Sequence, residues 1–446
     1  MSDTVYAEDA SVPAPQTAPE ALPERADVVV IGGGLTGLST ALHLARAGRF
    51  VALVEAGAIG DGASGRNGGQ LHPGQRRDQV WLTKRLGEGI ADELWELGEE
   101  AVALVHSLRA ELGADCDFRP GLIDAAHTQA AFDDSRAYAD HLFERYGVTP
   151  EFMDRDQLAA AIGSRRYVGG VHDSTGGHLN PLALVTALAE AAEKAGAHLF
   201  QQTTAEGFET RSGGVEVTVR RRGARAQAIR ADAVVLAGNG YLSGLEPRIE
   251  TRVLPLVNHI AATEPLDVSP IPGGEAVSDT RAVIRYFRVD AENRMIFGGG
   301  ESYGPVAADV AAIVRPYLAE VYPQLKDVPI AAAWSGTLGI TRTRCPFIRR
   351  LEPGIYAAVG YSGQGVGLAT FAGKVIAEAI AGDTGRLDVF AHLPVPPYPG
   401  GTRFLGPLAV LAMTWFSLRD RLALPAIPRP GGSATPSVAP GEDPPA

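Results

Sequence analysis

Cysteine is scarce in this chain, whose 446 residues include only Cys116 and Cys345. These two lie far apart and form neither a CxxC pair nor the spacing of a zinc site, which argues against a disulfide framework and a structural zinc ion. No spaced cluster of histidines and carboxylates is visible either, so we predict no metal site. So few cysteines suit a reducing compartment, and we expect a cytoplasmic protein.

Basic residues are not in surplus. The 40 lysines and arginines are outnumbered by 52 acidic residues, which gives a net charge of −12. A nucleic-acid-binding protein would carry a dense basic patch, and none is visible, which argues against nucleic acid as a partner. Hydrophobic content of 45% and charged content of 21% are ordinary for a soluble globular protein. The length suits two or three domains.

Long apolar runs are also missing. The best candidate, LAVLAMTWFSL at 408–418, has about half of the roughly 20 residues that a membrane-spanning helix needs. We expect a C-terminal helix in 401–424 that docks on the protein. Residues 1–24 are proline-rich and lack the basic and apolar regions of a signal peptide, so they predict a disordered leader. Residues 425–446 predict a disordered tail.

What the chain does have is glycine at the ends of predicted strands. The first case is a strand at Val28–Ile31, the turn GGGLTG, a helix at Leu38–Ala47 and a strand at Phe50–Val54 that ends in Glu55. This order predicts the βαβ unit of a Rossmann-like domain. Without a ligand, the same pattern would be only a packing unit of a helix on two strands.

Each glycine of this unit, and the glutamate at its end, has a structural role in binding a dinucleotide. Gly32 permits the tight turn, Gly34 lets a pyrophosphate approach the backbone, and Gly37 lets helix and strand pack closely. The N-terminus of the helix offers N–H groups to the same pyrophosphate. Glu55 is placed to bind a ribose hydroxyl and disfavours the 2′-phosphate of NADP. The unit therefore predicts an ADP-containing dinucleotide.

Two later strands end in the same way. Val234–Leu236 runs into Ala237 and Gly238, and Ile355–Val359 runs into four glycines and a helix through Ile380. Close approach of a backbone to a bulky ligand needs such small residues. We predict an α/β fold with a discontinuous Rossmann-like cofactor domain (25–95, 166–250 and 336–400). A second, α+β substrate domain of sheet and helices (96–165 and 251–335) would cover the site.

Three further motifs carry a resemblance to a known family. They are GASGRNGGQ at 62–70, YFR with NRMIFGGG at 286–300, and WSGTLGITRTRCPFIRRL at 334–351 leading into GYSGQG. Over about residues 25–424 the chain resembles the D-amino-acid-oxidase-like FAD enzymes, and most of all their γ-glutamylputrescine oxidase branch. The resemblance implies FAD as cofactor and oxidation of an amine as the reaction.

The resemblance also assigns residues to the cofactor. It places the 62–70 loop along the pyrophosphate and the flavin ring, the backbone at Ala205 against adenine, and the GYSGQG backbone at the flavin's pyrimidine edge. The expected FAD-binding residues are Gly32, Gly34, Leu35, Thr36, Gly37, Glu55, Ala56, Ser64, Arg66, Asn67, Gly68, Gln70, Ala205, Ala237, Gly238, Gly363, Gln364, Gly365 and Val366.

On the substrate side we expect four catalytic candidates. Tyr286 and Trp334 would wall a cavity above the flavin, and Arg288 would bind a carboxylate or supply positive charge. Gln364 stands where the branch usually has histidine, so it hydrogen-bonds but cannot titrate. As alternatives, an aromatic residue in a strand is often simply core, and an arginine is often a surface ion pair. His72, after the GRNGGQ loop, is a further candidate near the flavin.

Two departures from the family bear on the chemistry. Cys345 does not fall where related sarcosine oxidases attach FAD, so we expect non-covalent FAD. No lysine occurs between Lys194 and Lys326, whereas those oxidases use a lysine to help oxygen react. The expected activity is an FAD-dependent amine oxidase acting on a γ-glutamylputrescine-like amine or an amino acid, with molecular oxygen or another electron acceptor, in a monomer or homodimer.

Two alternatives remain open on the sequence. One is an amino-acid dehydrogenase that passes electrons to a quinone or another carrier. The other is an NAD-dependent dehydrogenase or a non-catalytic nucleotide-binding module.

Overall fold

The computed structural model describes residues 4–7, 21–149, 151–304, 307–402 and 406. The apolar segment 408–418 and the predicted tail lie outside the described residues. Within the described part of the chain, no helix has the length and apolar character needed to cross a membrane.

The elements are numbered in chain order. The helices of the described residues are α1 (Leu35–Arg46), α2 (Gln79–Leu86), α3 (Glu88–Leu112), α4 (Gln129–Tyr146), α5 (Arg155–Ile162), α6 (Pro181–Lys194), α7 (Pro247–Glu250), α8 (Val310–Val321), α9 (Val366–Ala381) and α10 (Gly385–Ala391). The strands are β1 (Arg25–Ile31), β2 (Val51–Val54), β3 (Gln70–Leu71), β4 (Arg119–Ala126), β5 (Glu151–Met153), β6 (Gly169–His178), β7 (His198–Phe200), β8 (Thr203–Arg211), β9 (Gly214–Arg221), β10 (Ala226–Leu236), β11 (Val253–Thr263), β12 (Ala276–Asp279), β13 (Tyr286–Val289), β14 (Met295–Ser302), β15 (Ile330–Thr341), β16 (Phe347–Glu352) and β17 (Ile355–Val359).

The first sheet has the strand order β16-β17-β10-β1-β2-β7, with β9 and β8 continuing from β10. Strands β17, β10, β1, β2 and β7 run parallel to their neighbours. A parallel sheet is buried on both faces, which is why its strands are continuous apolar runs such as Val28–Ile31. Since β17, β10 and β1 are adjacent, their three glycine-rich carboxyl ends meet at one edge. The predicted α/β class is confirmed.

The second sheet is mostly antiparallel, in the order β15-β11-β14-β13-β12-β4-β6-β3, with β5 beside β6. Its β13–β14 hairpin turns at Asp290–Asn293, where the Asn293 N–H donates to the Asp290 carbonyl at 3.1 Å. Asn293 takes a φ of +60°, which asparagine tolerates better than most residues. Apolar residues of α8 and α5 form a core with this sheet.

The predicted domain division stays a prediction, but some elements lie elsewhere than its boundaries imply. Helix α3, mostly in the predicted cover segment, buries its apolar face in the core of the first sheet, where it packs on α9. Strands β6 and all of β15 belong to the second sheet, although both were expected to lie wholly or partly in cofactor segments. The sequence from Leu199 to Ala205 predicts a single strand, but these residues belong to two, β7 and β8, because Gln202 takes a φ of +53° between them.

The expected disorder of the leader is wrong for residues 4–7. Val5–Ala7 form a short 3-10 helix in which Val5 is 0% and Tyr6 is 2% exposed. Both side chains pack into a small core with Leu182 of α6 and Trp334 of β15. Burying this apolar pair fixes the segment, which proline content alone does not reveal.

Helices α1 and α9 cross in close contact at the glycine-rich edge. A Cβ on Gly373 would lie 2.5 Å from the carbonyl oxygen of Thr36 and 2.6 Å from Cβ of Ser39, so only glycine fits there. Nearby, the hydroxyls of Thr36 and Tyr361 are hydrogen-bonded at 2.7 Å in a buried position. These contacts bring the N-termini of the two helices together.

We expect Gly373→Ala to destabilise the protein by about 1–3 kcal/mol, because the added methyl group overpacks the helix crossing. Gly89→Ala, in α3, is the matched control: nothing lies within 4 Å of a Cβ at Gly89, so alanine gains up to about 1 kcal/mol from helix propensity. Thermal denaturation followed by circular dichroism measures both. Equal melting temperatures for the two variants would contradict the argument.

Candidate active site

A cavity of about 830 Å³ opens at the glycine-rich edge of the first sheet and is also lined by the second sheet. On one side the ends of β1, β10 and β17 contribute Gly32, Ala237 and Gly363. On the other side the second sheet contributes Asn258, Tyr286 and Glu301. One cavity therefore joins a backbone-lined groove to a wall of polar side chains.

Two helices point their N-termini at this cavity. Helix α1 follows Gly34 and helix α9 follows Gly365, and neither glycine supplies a side chain to cap the free N–H groups. In α1 the Leu35 N–H is already bound by Ser64 Oγ at 3.0 Å. The remaining N–H groups and the positive ends of both helix dipoles suit an anion, and this arrangement fits the pyrophosphate of the expected dinucleotide.

Glu55 is held in place at the end of β2. Its two carboxylate oxygens accept the backbone N–H groups of Gly33 at 2.7 Å and Gly57 at 2.8 Å. A carboxylate has about four lone-pair sites, so two backbone bonds leave capacity for ribose hydroxyls. Glu55 also lines the cavity, as a ribose ligand must.

The loop 61–70, which lines the cavity, is fixed from behind through three successive carbonyl groups. Trp334 Nε1 donates to the carbonyl of Arg66 at 2.9 Å, Tyr6 Oη to that of Asn67 at 2.8 Å, and Arg288 Nε to that of Gly68 at 2.7 Å. We call Tyr6, Arg288 and Trp334 the clasp. Each donor comes from a different, distant part of the chain.

The clasp residues also contact one another. The Tyr6 and Trp334 rings pack edge to face with centroids 5.3 Å apart, and the Arg288 guanidinium lies 5.7 Å from the Tyr6 ring. Burial raises the pKa of Tyr6, so its hydroxyl stays protonated and donates. Arg288 is 1% and Trp334 is 2% exposed, and neither lines the cavity. Our expectation that these two contact the substrate is therefore corrected: they position the loop.

Tyr286, by contrast, lies in the cavity wall as expected. Its ring covers Gly68 and Gly298, where an added Cβ would come within 2.6 Å and 2.0 Å of ring carbons. Its hydroxyl donates to Asn258 Oδ1, and burial raises the pKa of Tyr286 well above its ordinary value. The ring is thus fixed between the loop and the second sheet, with its hydroxyl protonated.

Gln364 also lines the cavity. Its Nε2 donates to the carbonyls of Pro73 at 3.0 Å and Gly74 at 3.1 Å. The amide therefore ties the turn before α9 to the chain that follows the GRNGGQ motif. It contributes shape and hydrogen bonding to the site but no titratable group.

His72 lines the cavity beside Gln70. Gln70 Nε2 donates to the Val277 carbonyl at 3.0 Å, which leaves Gln70 Oε1 as the acceptor for His72 Nε2, also at 3.0 Å. This network selects the tautomer with the proton on Nε2, so Nδ1 is an acceptor. Burial is the main cause of the lowered pKa of His72, which is therefore neutral at pH 7.

Most predicted cofactor residues are brought together in this cavity. All of them line it except Gly37 and Ala205. Gly37 lies beneath the turn, where a Cβ would stand 1.9 Å from the Gly32 carbonyl oxygen, as its packing role requires. Ala205 lies on β8, away from the cavity lining.

Sequence reasoning missed several lining residues. Glu301 directly follows the glycine triplet that ends NRMIFGGG, and Arg344 lies inside the third motif, so both were within motifs already noted. Tyr6 does not line the cavity but holds its loop, and it gave no signal in the sequence, because two neighbouring apolar residues carry no periodicity. Other lining residues that were not predicted are Asp61, Arg76, Arg77, Asn239, Tyr241, Asn258, Ser278, Leu338 and Tyr361.

Neither cysteine reaches the cavity. Cys116 is 5% and Cys345 is 2% exposed, and neither is among the lining residues. Burial raises the pKa of the Cys345 thiol to about 11, so it is not a reactive thiolate at neutral pH. A cysteine-linked flavin therefore does not fit this site. In the described part of the chain, no group of three histidine, cysteine or acidic side chains is placed to hold a metal ion.

Comparisons with known proteins agree with this geometry. The family model described as DAO, FAD dependent oxidoreductase, matches residues 27–379. A probable oxidoreductase OrdL of Rhizobium meliloti (strain 1021) is 41% identical, over 89% of this chain and 92% of the relative. The γ-glutamylputrescine oxidoreductase of Escherichia coli (strain K12) is 36% identical, over 89% and 93%. Glycine oxidase from Geobacillus kaustophilus has a similar structure, with a TM-score of 0.68, 23% identity, and coverage of 80% and 95%.

The clasp predicts that Tyr6→Phe weakens flavin retention. The variant keeps the ring but leaves the Asn67 carbonyl without its partner, at a cost of about 1–3 kcal/mol. We expect FAD to be released, as followed by its fluorescence on heating, a few degrees below the wild-type temperature.

Tyr317→Phe is the matched control, because the Tyr317 hydroxyl forms no hydrogen bond within the described residues and its ring does not line the cavity. Circular dichroism run in parallel separates flavin release from global unfolding. Unchanged flavin release in Tyr6→Phe would show that the clasp does not stabilise the loop.

Proposed function

The chain belongs to the DAO family of FAD-dependent oxidoreductases, and on that premise we propose that it oxidises a γ-glutamylputrescine-like primary or secondary amine. FAD is its cofactor. The observation that carries the proposal is the cavity itself, in which the FAD groove continues into a wall of polar side chains that could bind a charged or polar substrate. The 36% identical relative named as a γ-glutamylputrescine oxidoreductase supports the same substrate class.

The residues that would hold FAD fall into three groups. Glu55 and the α1 N-terminus would bind the ADP half, the loop at 61–70 would lie along the cofactor, and the Gly363–Val366 backbone would offer N–H groups to the flavin. When bound, FAD supplies at N5 an acceptor for the hydride that leaves the carbon next to the amine nitrogen. Water then adds to the resulting imine, which separates into an aldehyde or keto acid and an amine or ammonia.

The chain must also remove a proton from the substrate. An ammonium ion has no free lone pair to assist loss of the hydride, so the reacting amine has to be neutral. His72 suits this task because it lines the cavity, is neutral at pH 7, and carries its free lone pair on Nδ1. We assign His72 as the proton acceptor for the reacting ammonium group.

We propose molecular oxygen as the electron acceptor. Among the described residues that line the cavity, the cations are arginines and none is a lysine. Arginine therefore has to supply the positive charge that a lysine supplies in the sarcosine oxidases. If it does not, the enzyme is a dehydrogenase that needs a quinone or another carrier.

We expect γ-glutamylputrescine to bleach the flavin of the wild-type enzyme under anaerobic conditions, and to do so faster than putrescine, glycine, sarcosine or proline. Stopped-flow absorbance measures the reduction without any assumption about the acceptor. Admitting air or a quinone analogue to the reduced enzyme then identifies the acceptor. A flavin that none of these amines bleaches would refute the proposed function.

His72→Gln should slow flavin reduction about 100-fold near neutral pH, the lower end of general-base contributions. In the wild type the rate falls only as the pH drops through the lowered pKa of His72, because imidazolium cannot accept a proton. In the variant the profile should move towards the alkaline pKa of the amine itself. The exposed His198→Gln is the control, and a variant with the wild-type pH profile would rule out this role for His72.

A further inference from the structure

Two oppositely charged side chains face the cavity without a partner. Glu301 and Arg344 both line it, and neither side chain forms a hydrogen bond or an ion pair with any residue that the structure describes. They do not form an ion pair with each other either, although the guanidinium charge of Arg344 is the strongest charge acting on Glu301. The cavity therefore holds a carboxylate and a guanidinium that do not neutralise each other by direct contact.

Glu301 is fixed by the second sheet. It lies near the end of β14, opposite Asn258 of β11 in the antiparallel register, so both side chains project from the same face. Asn258 in turn accepts the Tyr286 hydroxyl, and the charge of Glu301 contributes to the raised pKa of Tyr286. Asn258, Tyr286 and Glu301 thus form one polar strip along the cavity wall.

Arg344 is held by the turn that follows β15. Its backbone N–H donates to the Thr341 carbonyl at 3.1 Å, and it takes a φ of +67°, an uncommon backbone conformation for arginine. Three other arginines that line the cavity are already engaged: Arg66 by Asp61, Arg77 by the Thr343 carbonyl, and Arg281 by Asp279. Arg344 differs from them in having its guanidinium available.

A charge withdrawn from water is costly unless another charge or a strong hydrogen bond compensates it. Burial raises the pKa of Glu301, while the charges of Arg344 and Arg76 lower it. A ligand that places an ammonium group on Glu301 and a carboxylate on Arg344 would compensate both side chains at once. A plain diamine would satisfy Glu301 but set a second positive charge against the arginines.

We propose that Glu301 and Arg344 bind the ammonium and the carboxylate of an α-amino-acid head group on the substrate. This inference rests on the proposed amine oxidation, because the head group is the non-reacting end of a γ-glutamyl amine. It makes both residues determinants of specificity, which select γ-glutamylated amines against free polyamines. Other carboxylates in the lining, Glu99, Asp124 and Asp173, are the competing candidates for the ammonium group.

Three ligands that lack the amine at the end of the butyl chain test the two contacts separately on the holoenzyme. The γ-butylamide of glutamic acid carries both head-group charges, glutaric acid monobutylamide lacks the ammonium group, and 4-aminobutanoic acid butylamide lacks the carboxylate. Isothermal titration calorimetry gives Kd for each ligand with wild type, Glu301→Gln and Arg344→Gln. The exposed pair Glu209→Gln and Arg211→Gln provides matched controls.

Glu301→Gln should weaken the two ligands with an ammonium group about 10- to 100-fold and leave the carboxylate-only ligand unchanged. Arg344→Gln should weaken the two ligands with a carboxylate by a similar factor and leave the ammonium-only ligand unchanged. The unchanged ligand in each case shows that the variant is folded and its cavity intact.

Equal loss for all three ligands, or wild-type affinities in both variants, would overturn the inference. So would a loss of ammonium binding in Asp124→Asn or Asp173→Asn but not in Glu301→Gln. These outcomes are distinct from failure of the proposed function. If the proposed function fails, no amine bleaches the wild-type flavin. If γ-glutamylputrescine bleaches the flavin but both variants bind the ligands like the wild type, the proposed function stands and only the role of Glu301 and Arg344 is refuted.

Discussion

The site depends on one constraint, the capture of three consecutive carbonyl groups in the loop at 61–70 by the clasp. A loop that binds a cofactor with its backbone needs a fixed conformation, and hydrogen bonds from buried side chains supply it. Arg288 and Trp334 belong to the second sheet, whereas the loop continues from the first. The shape of the cofactor groove therefore depends on how the two sheets pack. Through Tyr6 it also depends on the packing of the N-terminal segment.

This constraint explains why two residues of β13 have different roles, one in the cavity wall and one behind the loop. Tyr286 and Arg288 are two positions apart on β13 and so project from the same face. Both meet Gly68, Tyr286 with its ring against the glycine and Arg288 with a hydrogen bond to its carbonyl. Tyr286 then extends into the cavity, while Arg288 remains enclosed behind the loop. The glycine is what allows two large side chains to share one contact point.

Local patterns in the sequence predict the fold well, because each depends on near neighbours. The βαβ unit and the glycine-rich turn from β17 into α9 both follow from apolar runs and the glycines beside them. Contacts between distant segments were not predictable. The apolar face of α3 shows that the helix is buried but not on which sheet. From the sequence, Arg288 is expected to bind substrate or to form a surface ion pair. Only the fold shows that it is enclosed behind Gly68.

The same limit applies to charge. A net charge of −12 argues against a nucleic-acid partner but does not describe the cavity, where arginines and carboxylates are mixed. Which of them act on a ligand depends on which are already paired, and pairing is set by the fold. Arg281 is neutralised by Asp279 and Arg66 is engaged by Asp61, so their charge reaches the cavity only in part. Among the residues that the structure describes, the charged groups that have no partner are therefore the ones most available to a ligand, and their sign and spacing decide which substrates they favour.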